Sequence, residues 1–335
     1  MPRNYTRERL EYLWKIIAVD CEIPISTEEG RRNEVADSDL NNHDIIRIDR
    51  NFETIDNEVY NLVERPPILF CPFQADILAN NPIDPSSYGS QKEQERAMEF
   101  RNYNPPADPL EIELGQWDPM SCGTVVCRYV KAWACGLPRP GLGEWWSIKG
   151  PGHARGISIP HPLLLGPGWN RSYPSGMDHW STQKLMEFPR ESSPGVYPHV
   201  VAPLVQNFNA RDNTMLYSEL STIVATMRNR ANQPKVDPNN VEAQEALFTE
   251  SEEKIHELKR EFPMEQRFPV LLLSFVGPQH GRLFYACMDR RRLVIRQSRL
   301  YSFEDNATAP LDLFARMFLS RPLHEDARTS STSPG

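Results

Sequence analysis

No stretch of this sequence approaches the ~18 consecutive apolar residues of a membrane-spanning helix. The expectation is a chain that does not cross a membrane. The opening "MPRNYTRERLEYLWK" lacks the apolar run of a secretory signal and carries charges in its place. A cytoplasmic or nuclear protein is therefore expected. Glycine is scarce beside proline, 17 against 30, the reverse of ordinary usage. That ratio predicts long, stiffened, ordered connections, and no internal repeat is visible. G-x-S-x-G, H-E-x-x-H and C-x-x-C are all absent. No cofactor, metal site or catalytic residue is legible from a motif.

What is present suffices for a core. Of 335 residues, 39% are hydrophobic and 24% charged, which excludes wholesale disorder. The formal net charge of -8 argues against a protein that coats nucleic acid with its whole surface, and leaves room for a local basic patch. Six cysteines in an intracellular chain are expected as thiols.

The predicted fold class is α+β. Residues 1–66 read as a helical N-terminal region, 67–200 as an irregular Pro/Gly/Trp-rich region with short helices, and 201–323 as an αα-βββ-α unit. Residues 324–335 read as a disordered tail. Leu10, Leu13, Trp14 and Ile17 fall at helical spacing after the candidate cap Thr6. "KIIAVDCE" thus places Asp20 and Glu22 near a helix end. Ile45, Ile48, Phe52, Ile55, Val59 and Leu62 recur every three or four residues. This predicts one helix from Asp44 to Val63 with an apolar seam, packed in its own domain or against a partner helix. "SQKEQERAMEF" opens with the capping-box pair Ser90 and Glu93.

Residues 136–200 hold ten prolines and ten glycines with Trp145, Trp146, Trp169 and Trp180. Ordered loops pinned by buried aromatics, lining a groove, are expected there. Further on, "NTMLYSELSTIVATMRNR" and "NVEAQEALFTESEEKIHELKREF" read as helical. "RFPVLLLSFV", "RLFYACM" and "RLVIRQSRLYSF" read as an antiparallel meander, and "APLDLFARMFL" as a closing helix.

Several constellations suggest chemistry. Asp20-Cys21-Glu22 resembles the first acidic motif of the DEDD exonucleases, which set four carboxylates around two metal ions. The later motifs have no counterpart: "NNHDIIRID" comes too early and "EDNATAPLDLF" lacks His or Tyr. Asp37, Asp39 and Asn41 mimic calcium-loop ligands, but Asn42 and Ile48 stand where Gly and Glu are needed. They are expected to cap the following helix. Cys122, Cys127 and Cys135 are spaced too widely for zinc and read as buried thiols. "GPGHARG" around His153 and Arg155 lacks the Lys-Ser/Thr of a phosphate loop. A helix, a meander and a helix also resemble the PD-(D/E)XK nuclease core, yet "LVIRQSR" carries no acid.

The arginines reverse the local charge. From Arg267 to Phe303 there are seven, against Asp289 alone. Arg290, Arg291, Arg292, Arg296 and Arg299 are the candidate contacts to an anion or nucleic acid. The favoured reading makes them a solvated hairpin tip plus salt bridges to the acidic helix "EAQEALFTESEEKIHE" just before it.

The phrasing "FVGPQHGRLFYA", "LVIRQSRLYSFE" and "PLDLFARMFLSRP" is similar to the C-terminal ends of an uncharacterised filamentous-fungal protein family. The resemblance covers roughly the last sixth of the chain and implies no activity. The leading expectation is an interaction or scaffold protein with a protein partner and no cofactor. A nucleic-acid-associated protein using the arginine-rich meander, with a catalytically incomplete nuclease-like core, is the alternative. An enzyme whose site is assembled from distant residues is the third reading. The oligomeric state stays open.

Overall fold

Every residue of Val270–Gly277 is buried, and successive residues divide between two cores. Val270 and Leu272 belong to one apolar cluster; Leu271, Leu273 and Phe275 belong to the other. A strand sends alternate side chains to opposite faces, so this run lies mid-sheet with a layer on each side. That is why it reads as continuously apolar rather than alternating. The structure is a computed structural model and describes residues 5–28, 33–54, 64–84, 90, 100–136, 139–142, 154–172, 179–190 and 195–323.

Among the described residues the main sheet has ten strands. They are β1 (Ile45–Asp49), β2 (Arg155–Gly156), β3 (Asn170–Ser172), β4 (His179–Thr182) and β5 (Met186–Pro189). β6 (Val196–Asn209), β7 (Val270–Gly277), β8 (His280–Asp289), β9 (Arg292–Gln297) and β10 (Tyr301–Ser302) follow. The spatial order is β1-β9-β8-β7-β6-β4-β3; β10 pairs with β8, and β5 pairs with β6 and β2. β7, β8 and β9 form the expected antiparallel meander. β6 runs parallel to β7, and β1 runs parallel to β9. The sheet therefore takes strands from each of the regions 1–66, 67–200 and 201–323.

Helices cover both faces. α1 (Tyr5–Trp14) and α3 (Tyr217–Asn232) put Leu10, Leu13, Leu220 and Ile223 against Ala202 and Leu272. α2 (Pro119–Cys135) and α4 (Leu311–Phe318) put Val126, Val130 and Phe314 against Leu271 and Leu273 on the other face. α2 begins where Asp118 accepts the Ser121 N–H at 3.0 Å, with a proline in the first turn. In α4 the buried positions Leu311, Phe314, Ala315 and Phe318 follow the spacing of one helical face. Among the described residues no helix is long and apolar enough to cross a membrane.

The segment before Asp20 is helical, as its spacing predicts: α1 continues through the wider turn Lys15–Val19, and the Asp20 N–H closes on the Lys15 carbonyl at 2.8 Å. The Asp44–Val63 helix is a different matter. Ile45 to Asp49 form β1, and Phe52–Thr54 make a single 3-10 turn. Ile45 is fully buried whereas Ile48 is 41% exposed, so the two share no face. β-branched Ile45, Ile46 and Ile48 suit a strand, and the ladder to β9 rewards it with a pairing that local spacing does not contain. Phe52 is buried. Ile55, Val59 and Leu62 lie outside the described residues.

The middle region holds more regular structure than its composition suggests. Helices occupy Ala75–Asn80 and Pro109–Leu114, and α2 includes all three clustered cysteines. The expected loops of 136–200 carry β2 to β5 and the start of β6. Trp180 is buried on β4, and Trp169 packs against the same core. Trp145, Trp146, residues 91–99 of the expected capped helix and the tail 324–335 lie outside the described residues. "NVEAQEALFTESEEKIHELKREF" contains two short helices, Val241–Leu247 and Glu252–Glu257.

Candidate anion-binding groove

Asp289 and Arg292 face each other in the β8–β9 ladder, which leaves Arg290 and Arg291 as a two-residue hairpin loop. Such loops favour Gly or Asn because they use positive φ. Arg290 has φ 58. An L-residue with a bulky side chain pays about 1–2 kcal/mol for that region. The chain accepts this cost to place three consecutive arginines, all exposed, at the end of the sheet. α1 supports the loop. The Thr6 hydroxyl donates to the Arg290 carbonyl at 3.4 Å, and the Arg291 guanidinium lies 5.5 Å from the Tyr5 ring centroid.

An open groove of about 1420 Å³ lies beside the hairpin. Arg290, Arg291 and Arg292 line it together with Arg65, Arg190 and Arg267. The two carboxylates among its described lining residues, Glu265 and Asp289, are engaged locally. Glu265 accepts the N–H groups of Gln266 and Arg267 at 2.8 and 2.7 Å, and Asp289 pairs with Arg267 at 3.7 Å. Among the described residues no ion pair holds Arg290, Arg291 or Arg292. The floor contains buried Leu69, Met288 and Leu323, with His199 edge-on to Phe70 at 5.0 Å.

Buried arginines hold the walls. Arg7 donates to the carbonyls of Ala231 (2.8 Å), Phe262 and Pro263, which fixes the segment leading to Glu265 and Arg267. Burial, helped by nearby Arg260, lowers Arg7 to about 10, so it stays charged at neutral pH. Arg296 is 2% exposed and donates to the Pro66 carbonyl at 2.7 Å. The Tyr285 hydroxyl donates to the Pro67 carbonyl at 2.8 Å and accepts the Leu69 N–H at 3.2 Å. Together these bonds seat Arg65 and Leu69 on the groove.

The predicted arginines thus separate. Arg290, Arg291 and Arg292 reach the groove. Arg296 lies behind its wall. Arg299 is outside it, paired with Glu53 at 2.8 Å and stacked 4.5 Å over Tyr301. Arg290, Arg291 and Arg292 stand exposed at the hairpin tip as expected, but no acidic-helix pairing is seen among the described residues: Arg282, Arg296, Arg299 and Arg267 pair with Glu219, Glu64, Glu53 and Asp289. Arg65 and Arg190 were not legible as site residues, because each stands alone in sequence and only folding brings them to the hairpin.

The other constellations become structural. Asp37, Asp39 and Asn41 lie within the short helix Asp37–Asn42 rather than capping a long one, and Asp37 binds Arg47 at 2.7 Å. Cys122, Cys127 and Cys135 lie on α2, where burial pushes the Cys127 thiol up to about 12. His161 and Arg155 both reach the buried carboxylate of Glu187, at 3.1 and 2.6 Å, and Arg230 closes on it at 2.8 Å. Leu163 donates its N–H to His161 Nδ1 at 3.2 Å, which leaves Nε2 to face Glu187. His153 lies outside the described residues. Among those described, no group of three or more His, Cys, Asp or Glu side chains could hold a metal ion.

No family model, no curated protein and no solved structure matches this chain. The groove therefore has to be read from its own chemistry. Guanidinium groups present planar forks of donors that match carboxylate or phosphate oxygens.

Proposed function

We propose that this protein is a non-enzymatic interaction protein that holds an anionic partner in the arginine groove. One observation carries the reading: three consecutive arginines without an acidic partner among the described residues, at a hairpin strained at Arg290, stand at a groove with six arginines in its described lining. Guanidiniums hold charge and do not exchange protons near neutrality, so they suit binding better than acid–base chemistry. The groove's carboxylates already serve the backbone and Arg267. At about 1420 Å³ the groove exceeds the ~300–1,000 Å³ usual for small-molecule sites, which favours part of a larger partner.

Titration of the protein with inorganic polyphosphate and with polyglutamate tests this. At least one should bind with an affinity that falls as salt rises. Replacing Arg290, Arg291 and Arg292 together with Gln should weaken that binding at least tenfold and leave the melting temperature nearly unchanged. Binding indifferent to the triple substitution would place the interaction elsewhere.

A further inference from the structure

We infer that the anionic partner is a single-stranded nucleic acid, a proposal that rests on the groove reading above. Two classes of extended polyanion compete for such a site: an acidic peptide and a nucleic-acid strand. An extended peptide can add to a free sheet edge, and an acidic one can also be held by a cluster of arginines. At the groove β8 keeps its ladder to β9, while Pro198 and His199 of β6 and Met288 and Asp289 of β8 run past Val270, where pairing with β7 begins. Part of that backbone is engaged, since the Met288 N–H already donates to the Arg267 carbonyl at 2.9 Å. The lining side chains favour the nucleic-acid strand: forked cations fit phosphate oxygens two at a time, and the Tyr5 ring stands beside Arg291 where a base can stack.

The second observation separates a single strand from a duplex. Tyr5 is 46% exposed and lines the groove beside Arg291. An exposed ring next to a row of guanidiniums offers one face for stacking, and only an unpaired base can use it. Phosphates on the Arg290–Arg292 turn with a base over Tyr5 would use the aromatic and the cations of one wall at once.

The test is fluorescence anisotropy with labelled 12-nucleotide dT and rU strands across a salt series. The same strands annealed to their complements, and polyglutamate of equal charge, serve as competitors. Single strands should bind best. The log–log salt slope should flatten by about two in the Arg290→Gln/Arg291→Gln/Arg292→Gln protein, since each phosphate contact contributes ~0.7. Tyr5→Ala should weaken binding about five- to hundredfold without flattening the slope, and Tyr5→Phe should restore it. If polyglutamate or duplex binds better than the single strand while the arginines are still required, this inference fails and the groove reading survives. If Tyr5→Ala leaves single-strand affinity unchanged, the stacking contact is absent and the inference fails. If no polyanion binds, or the triple substitution changes nothing, both fail.

Discussion

Arg296 places Nη2 2.7 Å from the carbonyl oxygen of Pro66, across 230 residues of sequence. By type and neighbourhood it belongs with the arginines that contact a ligand. By position it is a strut: buried, partnered by Glu64 as well, and facing the segment that carries Arg65 to the groove.

Arg296→Met should therefore cost stability. A hydrogen bond from a charged donor to a buried carbonyl contributes about 1.5–3 kcal/mol, and the substitution leaves the Pro66 oxygen without that donor. The midpoint of urea unfolding should fall accordingly, with little change in slope. A midpoint equal to wild type would mean that the segment is held without Arg296.

A fully buried pair joins Glu219 on α3 to Arg282 on β8, at 2.8 and 2.6 Å. Both side chains are fully enclosed. Ser274 donates to the carboxylate at 2.7 Å and the Leu216 N–H at 2.8 Å, so its oxygens are satisfied. Breaking one side strands a buried charge. Glu219→Gln or Arg282→Met alone should each cost about 3–5 kcal/mol. The double replacement Glu219→Leu/Arg282→Met should cost less than the singles combined. A double-mutant cycle by chemical denaturation measures the difference, and additive costs would show that the two groups do not depend on each other.

Glu187 governs part of the acid limb. Burial opposes its ionisation, but Arg230, the His161 hydrogen bond and Arg155 outweigh burial and hold the carboxyl well below the usual range. A carboxyl whose folded pKa is depressed stabilises the fold fully above its unfolded value, ~4.3, and loses that contribution as pH falls through the folded value. Glu187→Gln should be clearly less stable than wild type at pH 7, and the gap should narrow as pH drops below about 4. Unfolding midpoints at pH 7 and pH 3.5 provide the check. A gap that widens in acid would contradict the sign.

Local pattern carried several elements. The helical spacing of Leu10, Leu13 and Ile17, the one-sided Leu311–Phe318 stripe and the apolar runs broken by "GPQHG" and "DRRR" appear in the structure where the sequence puts them, except that the third run divides into β9 and the short β10. Side-chain periodicity and turn chemistry act over a few residues, so a linear reading captures them. The same reading misjudged Ile45 to Phe52, whose spacing imitates a helix while β-branched residues and the β9 ladder make a strand. It also missed β2 to β5, whose prolines and glycines hide strands that form by pairing with β6 and one another, and β6 itself, which straddles the boundary read at residue 200.

The candidate site divides the same way. That Arg290, Arg291 and Arg292 would stand on a turn followed from the sequence, because apolar runs on both sides leave the polar residues no other place. That Arg296 would serve the wall, and that Arg65 and Arg190 would join the hairpin, was decided only by the tertiary structure. Burial and electrostatic pairing are properties of neighbours in space. In this fold those neighbours come from segments some 230 residues apart in the case of Pro66 and Arg296, a separation that no local pattern spans.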